Sequence, residues 1–199
     1  MAGLLANLRN TVILSFVLAL IIIAGYFMHY GSADAIFWQA VFRWLHVLAG
    51  IMWIGLLYYF NFVQTPTMPK VPAELKPGVS KYIAPSALFW FRYGALWTLI
   101  TGLIVAGTPW GDIEPFAGKA LMFQPPYRVI GTGMWLAIIM AANVWFVIWP
   151  NQKRVLGLVA ADDASKAKSA ALAGIASRTN TLLSIPMLYC MVMQAYLPA

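Results

Sequence analysis

The sequence predicts an all-α fold, a polytopic membrane helical bundle with five transmembrane helices. Hydrophobic residues make up 62% of the 199 residues and charged residues only 10%. Soluble domains are about 25% charged, so this composition is typical of an integral membrane protein. The mean hydropathy of +0.76 agrees. Five apolar runs each approach the ~20 residues that a helix needs to cross a bilayer.

The five predicted spans cover most of the sequence, and we treat residues 1–199 as a single membrane domain. The stretch 63–85 is rich in proline and is predicted to be an extended surface connection, because proline does not continue a helix. Span four is predicted to stop at Pro150, and Pro186 to kink span five. The alanine-rich residues 155–176 predict a helix at the membrane surface. The spans are residues 11–30, 38–62, 86–107, 127–149 and 179–197.

The charge of the loops predicts the orientation. Nine of the 13 lysines and arginines lie on one set of flanks, whereas the opposite loops hold only Lys119. Positively charged loops stay in the cytoplasm. The N-terminus is therefore predicted to be cytoplasmic and the C-terminus periplasmic, in a multi-pass protein of the bacterial inner membrane.

The polar residues argue against several classes of function. The cations lie between apolar runs, so the net charge of +7 sets the topology and does not indicate nucleic-acid binding. The single cysteine, Cys190, excludes a disulfide framework and a Cys-based metal site. The sequence shows no paired carboxylates, no nucleotide-binding loop and no Ser-His-Asp set, so hydrolytic chemistry is not expected.

The strongest candidate site lies in span two. Arg43, His46, Gly50 and Trp53 are three or four residues apart and share one helical face. Ionisable groups inside a membrane span are costly and indicate a function by default. Gly50 leaves room for a large flat group to approach the backbone. His46 is therefore a candidate axial ligand of haem b.

Residues outside span two extend this haem hypothesis. His29 ends span one on the predicted outer side, so it is a candidate second metal ligand beside His46. Arginines on that side are candidate partners of the haem propionates. We therefore expect the cofactor to be bound by His46, His29, Arg43, Gly50, Trp53 and Arg128.

The same residues also have a structural interpretation. His46 could simply hydrogen-bond a carbonyl on another helix. Arg43 and Arg128 could extend to lipid headgroups, and so could Arg92 in span three. On this interpretation no cofactor is bound.

Small and polar residues in the other spans predict helix contacts. Gly94, Thr98 and Gly102 repeat at four-residue spacing, a pattern that suits close helix packing. Asn143 in span four and Gln194 in span five are either interhelical hydrogen-bonding residues or site residues. The sequence leaves that choice open.

Four stretches resemble one known family. They are RWLHVLAGIMWIG (43–55), FWFRYGALWTLITGLIVAG (89–107), ANVWFVIWPNQKRV (142–155) and SRTNTLLSIPMLYCMVM (177–193). In this order they resemble the urate oxidase N-terminal membrane domain, the bacterial urate hydroxylase PuuD-like family. The first stretch is also similar to the histidine-bearing helix of HemJ-type and CopD-type haem or copper membrane proteins.

The resemblance implies a helical bundle with His46 at its functional centre. Urate-oxidising members are longer and end in a cytochrome c domain, whereas this sequence lacks the haem-attachment motif Cys-x-x-Cys-His. The first hypothesis is therefore a redox subunit that holds haem b and passes electrons to a periplasmic cytochrome c or another redox partner. The second is a membrane oxidase of a small urate-like or porphyrin-like substrate. The third is a non-catalytic accessory or assembly subunit of a larger membrane complex or homo-oligomer.

The orientation can be tested with reporter fusions. An alkaline phosphatase fused to the C-terminus should be active, because this end is predicted to lie in the periplasm. An inactive phosphatase fusion together with a fluorescent C-terminal GFP fusion would reverse the orientation and move His46 to the other leaflet.

Overall fold

The computed structural model describes residues 5–31 and 33–196, and within them all regular elements are helices. The predicted all-α class is therefore confirmed. The chain forms two compact units, Met1–Trp38 and Gln39–Ala199. The end of predicted span five, at Leu197, lies outside the described residues.

The first unit contains the helix α1 (Leu8–Tyr30). The Asn7 side chain caps it by accepting hydrogen bonds from the backbone N–H groups of Arg9 and Asn10, and Gly31 ends it with a positive φ of 76°. The ring of Phe37 packs on those of Tyr26 and Phe27. Residues 35–38 of this unit begin the next helix, α2.

The second unit holds the remaining helices. Short α-helical turns and π- or 3₁₀-helical segments join the longer helices, so their boundaries are given together. In chain order the α-helices are α2 (Ala35–Tyr58), α3 (Thr65–Thr67), α4 (Lys76–Gly78), α5 (Ala84–Gly107), α6 (Ala117–Leu121), α7 (Arg128–Ala142), α8 (Trp149–Val155) and α9 (Asp163–Met193).

Four stretches of continuous helix in the described chain are long and apolar enough to cross a membrane. They are Leu8–His29, Ala35–Lys70, Lys76–Gly107 and Arg128–Val155. They contain most of the first four predicted spans. Helix α9, which contains most of predicted span five, is not among them, and it carries Lys166, Lys168 and Arg178. The count of five spans and the orientation of the termini therefore stay predictions.

The predicted extended connection at residues 63–85 was wrong. Helical structure continues to Lys70 and resumes at Lys76. The π-helical segments Tyr59–Gln64 and Val79–Ile83 lie just before Pro66 and Pro85. In each case the last residue before the proline donates its backbone N–H five residues back. This wider turn lets the chain pass a proline without leaving the helix.

The predicted stop at Pro150 was wrong for the same reason. The π-helical segment Asn143–Ile148 precedes it, and the Trp149 N–H donates to the carbonyl of Val144. Helix α8 then carries the chain through Pro150 to Val155. Each of the three prolines is thus preceded by a π-helical segment, which keeps the chain helical at the proline.

Helix α9 joins two elements that the sequence analysis kept apart. Part of the predicted surface helix 155–176 and most of span five form one continuous helix of 31 residues, with Pro186 inside it. Asp162 caps its start by accepting the Ser165 backbone N–H at 2.6 Å, and this hydrogen bond lowers the pKa of the Asp162 carboxyl.

The core of the second unit lies where α2, α5, α7 and α9 meet. Its fully buried side chains include Trp53, Leu57, Phe91 and Met140. Side chains from α9, such as Met187, close the core. Burying a large apolar side chain stabilises a fold by about 1.5–3 kcal/mol in water, whereas in lipid packing itself supplies the stabilisation.

Asn143 and Gln194 are interhelical hydrogen-bonding residues. The Asn143 amide donates to the carbonyl of Ala176 and to the Asn180 side chain, both at 2.8 Å. Gln194 accepts the backbone N–H of Ile130 at 2.9 Å. These contacts join the α7 region to α9, so the structure favours the structural role for both residues.

Glycine is required where α6 meets α7, and this gives a test of the packing. A Cβ at Gly131 would fall on the carbonyl oxygen of Ala120 and lie 2.8 Å from its carbon, whereas one at Gly118 would meet no heavy atom within 4 Å.

We expect Gly131→Ala to destabilise the protein by about 1–3 kcal/mol. The matched Gly118→Ala should be neutral or slightly stabilising in a helix. Equal thermal melting of both variants in detergent would contradict this packing.

Candidate functional site

The candidate site is the contact between α2 and α5. The small residues of α5, which were predicted to suit close helix packing, face α2, and the two helices pair in antiparallel order. Close approaches occur at three levels, His46 with Gly102, Gly50 with Thr98, and Trp53 with Gly94.

His46 is held by one hydrogen bond to the backbone of α5. Its Nδ1 lies 2.9 Å from the carbonyl oxygen of Thr98, and the residue is half-buried. Because a carbonyl only accepts, Nδ1 carries the hydrogen, and Nε2 of the neutral ring carries the lone pair. The Thr101 hydroxyl is farther from Nδ1, at 3.4 Å, and donates to the Trp97 carbonyl at 2.6 Å. The geometry thus fixes the tautomer and leaves Nε2 as the ring's acceptor.

Gly102 gives the imidazole its place on α5. A Cβ there would lie 2.9 Å from Cε1 of His46, closer than real Cβ atoms approach other atoms, and 3.1 Å from Nδ1, which is also a tight contact. The sequence analysis assigned Gly102 to helix packing and not to the site. The four-residue repeat of small residues was the available signal, but it does not tell which residue of α2 faces each glycine.

Gly50 and Trp53 share the α5-facing side of α2 with His46 but differ in packing. A Cβ at Gly50 would meet only the Thr98 methyl carbon, at 4.0 Å. Trp53 is fully buried in the core, and a Cβ at Gly94 would lie 3.1 Å from its backbone nitrogen. The buried Trp53 Nε1 has no hydrogen-bond partner among the described residues. The structure thus brings together three of the six predicted site residues.

The other three predicted residues are exposed. Arg43 lies one turn before His46 on α2. Arg128 begins α7, and its Nε donates to the Phe123 carbonyl at 3.3 Å. His29 lies near the end of α1, in the first unit. A cofactor role for these three residues, and a shared metal for His29 and His46, stay predictions.

The donor chemistry limits the metal that this site could hold. No group of three or more His, Cys, Asp or Glu side chains suited to a metal ion occurs in the part of the chain that the structure describes. A haem iron needs only one or two protein ligands, because the porphyrin supplies four nitrogens. The oriented ring of His46, with Nε2 as acceptor, fits a single axial ligand.

Arg92 is the functional candidate that the sequence analysis missed. The structural interpretation of the sequence allowed it to extend to lipid headgroups, but the residue is only 9% exposed within the protein. The guanidinium carbon lies 3.3 Å from the centroid of the Trp149 ring. Arg92 and Trp149 are 57 positions apart in the sequence, and no sequence pattern predicts that they pair.

A separate polar cleft of about 500 Å³ lies between α8 and the start of α9. Its charged lining residues are Arg154, Asp162 and Lys168, all exposed. His46 does not line it, so it is separate from the α2–α5 site.

Comparison with known protein families gives a match in the second half of the chain. Residues 103–198 match the family model described as urate oxidase N-terminal. No curated protein and no solved structure matches the chain. The matched segment contains α6 to α9 and the end of α5, but not His46. The likeness of residues 43–55 to HemJ-type and CopD-type proteins stays a prediction.

The contact between Gly102 and the imidazole can be tested by adding one methyl group. Gly102→Ala should displace the ring from Thr98 and lower the free energy of unfolding by about 1–3 kcal/mol. Gly50→Ala is the matched control, because its Cβ has ordinary van der Waals room. Thermal melting in detergent measures both, and a Gly102→Ala variant as stable as Gly50→Ala would contradict the position of His46.

Proposed function

Because residues 103–198 match the urate oxidase N-terminal family model, we propose that this urate-oxidase-related membrane domain is a redox subunit. In this proposal His46 binds haem b and the protein takes part in electron transfer. One observation carries it: the His46 ring is oriented by Thr98 through Nδ1. In a neutral ring that donates from Nδ1, the lone pair lies on Nε2.

The hydrogen bond to Thr98 is the kind of outer contact that prepares a histidine for a metal. Ligating histidines usually donate their other ring N–H to a carbonyl or carboxylate, which fixes the tautomer and makes the ligating nitrogen more basic. In this chain Thr98 supplies the carbonyl and Gly102 the space for the ring. Haem b, when bound, supplies one-electron chemistry. The exposed guanidinium of Arg43, one turn from His46, is the proposed partner of a propionate.

The proposed topology determines the partner. With five spans and a cytoplasmic N-terminus, His46 lies in the periplasmic half of the inner membrane, and a periplasmic cytochrome c or similar carrier would exchange electrons with it. If His29 also held the haem, the two histidines would bind it together and the group would supply electron transfer alone. If His46 is the sole protein ligand, the oxidase of a urate-like or porphyrin-like substrate becomes the better alternative.

A second candidate function is that of a non-catalytic accessory subunit. The same 2.9 Å hydrogen bond from His46 to the Thr98 carbonyl supports it, because this contact joins two helices without any cofactor. In that case His46 serves stability, and the protein contributes packing to a larger membrane complex.

Two substitutions of His46 separate these functions. Alanine removes both ring nitrogens, whereas the asparagine amide keeps a donor near the position of Nδ1 and has no counterpart of Nε2. The haem proposal predicts that both variants lose the Soret absorption of protein purified after expression with ample haem. His46→Asn should melt closer to wild type than His46→Ala, because it can still donate to Thr98.

Two further measurements complete the test. His29→Ala, the matched histidine variant, should keep the Soret band if the haem has one protein ligand and lose it if the two histidines share the iron. A wild-type protein that is purified intact and colourless would overturn the haem proposal and favour the accessory subunit.

A further inference from the structure

The second unit buries a guanidinium in which two nitrogens have no hydrogen-bond partner among the described residues. Arg92 is only 9% exposed, and its Nε and Nη1 are buried with no hydrogen-bond partner among the described residues. Arg92 lies within the apolar stretch Lys76–Gly107. A buried charge without a partner is costly, and in a membrane span it is costlier still.

The three apolar stretches around Arg92 contain no carboxylate. The apolar stretches Ala35–Lys70, Lys76–Gly107 and Arg128–Val155 contain no Asp or Glu. The six acidic residues of the chain all lie outside these stretches, two of them at the start of α9. The three stretches therefore cannot supply the missing negative charge.

Two neighbours shape the surroundings of Arg92. The Trp149 ring covers one face of the guanidinium at 3.3 Å, so the N–H groups, which lie in the guanidinium plane, stay directed away from the ring. Lys153, one turn along α8, places its Nζ 5.9 Å from the centroid of the same ring. A second positive charge thus lies near Trp149, and an anion bound there would be attracted by both cations.

We propose that Arg92, Trp149 and Lys153 form a binding site for a phosphate oxyanion. Arginine donates charge-assisted hydrogen bonds to phosphate oxygens, and lysine acts on phosphate as a point charge. Trp149 holds the guanidinium flat and so limits the orientations that the donors take. The phosphate belongs either to an anionic phospholipid headgroup or to a soluble phosphate compound.

The two sources are separated by testing wild-type protein with each. In detergent, inorganic phosphate is titrated against chloride at equal ionic strength, and thermal melting is recorded. In lipid nanodiscs, phosphatidylcholine alone is compared with a phosphatidylcholine–phosphatidylglycerol mixture, and native mass spectrometry measures the retained lipid. A ligand that binds only the folded state raises the melting temperature. Stabilisation by phosphatidylglycerol alone supports the lipid source, and stabilisation by inorganic phosphate supports a soluble one.

Arg92→Met should weaken that response about tenfold or more, because it removes the charged donors and keeps an apolar side chain of similar length. Arg178→Met is the matched control: it removes an exposed arginine of α9 and should respond like wild type. If Arg92→Met does not fold, Lys153→Gln takes its place and should show a smaller loss of the same response.

Three outcomes would overturn the proposal. One is a wild-type protein that neither ligand stabilises. Another is a response that Arg92→Met retains in full. The third, where Arg92→Met does not fold, is an unchanged response in Lys153→Gln. None of these measurements uses absorbance, so the result is independent of whether haem is bound.

Discussion

The structure depends on one constraint: in apolar surroundings, polar groups must find their partners within the protein. The second unit meets it with hydrogen bonds between helices. Asn61 donates to the Ser177 hydroxyl at 2.8 Å, and Asn180, fully buried, donates to the Met140 carbonyl at 3.0 Å. The hydroxyls of Tyr58 and Ser184 are 3.0 Å apart. These pairs set the positions of the helices against α9, so α9 stays an organising element although it is the most polar of the long helices.

The same constraint explains which features of the fold could be predicted from the sequence and which could not. Hydropathy alone predicted the helical class and most of the first four spans, because apolarity and length are local properties. Proline was misread, since the π-helical turns ahead of Pro66, Pro85 and Pro150 depend on backbone adjustment that no single residue encodes. Whether Asn143 was structural depended on Asn180, its partner 37 residues away. Such pairings follow from the packing, which residue spacing does not give.

At the candidate site, the sequence predicted which residues share one face of α2 but gave only half of the contact that this face makes. His46, Gly50 and Trp53 do share a side of α2, as the three- and four-residue spacing predicted. The groups that orient His46, the Thr98 carbonyl and the space above Gly102, come from α5. A backbone carbonyl has no residue-type signature, so this part of the site could be read only from the structure. The hydrogen bond from Nδ1 is compatible with helix packing and with metal ligation. Only metal ligation uses Nε2, so this atom distinguishes the two roles.

Buried polar groups that have no partner within the protein therefore indicate where a ligand could bind. Buried indole N–H groups, at Trp53 and Trp145, are neutral donors, and leaving each unpaired costs about 1–3 kcal/mol. A guanidinium carries a full charge that it does not release, so Arg92 is the most costly of these groups. His46 presents the opposite case, an acceptor that suits a cation. One helix, α5, carries Arg92 and also the Thr98 carbonyl, six residues or about 9 Å further along. Arg92 is positively charged and suits an anion, whereas Nε2 of His46 is an acceptor and suits a metal cation. The two sites therefore bind ligands of opposite charge, and either could be occupied without the other.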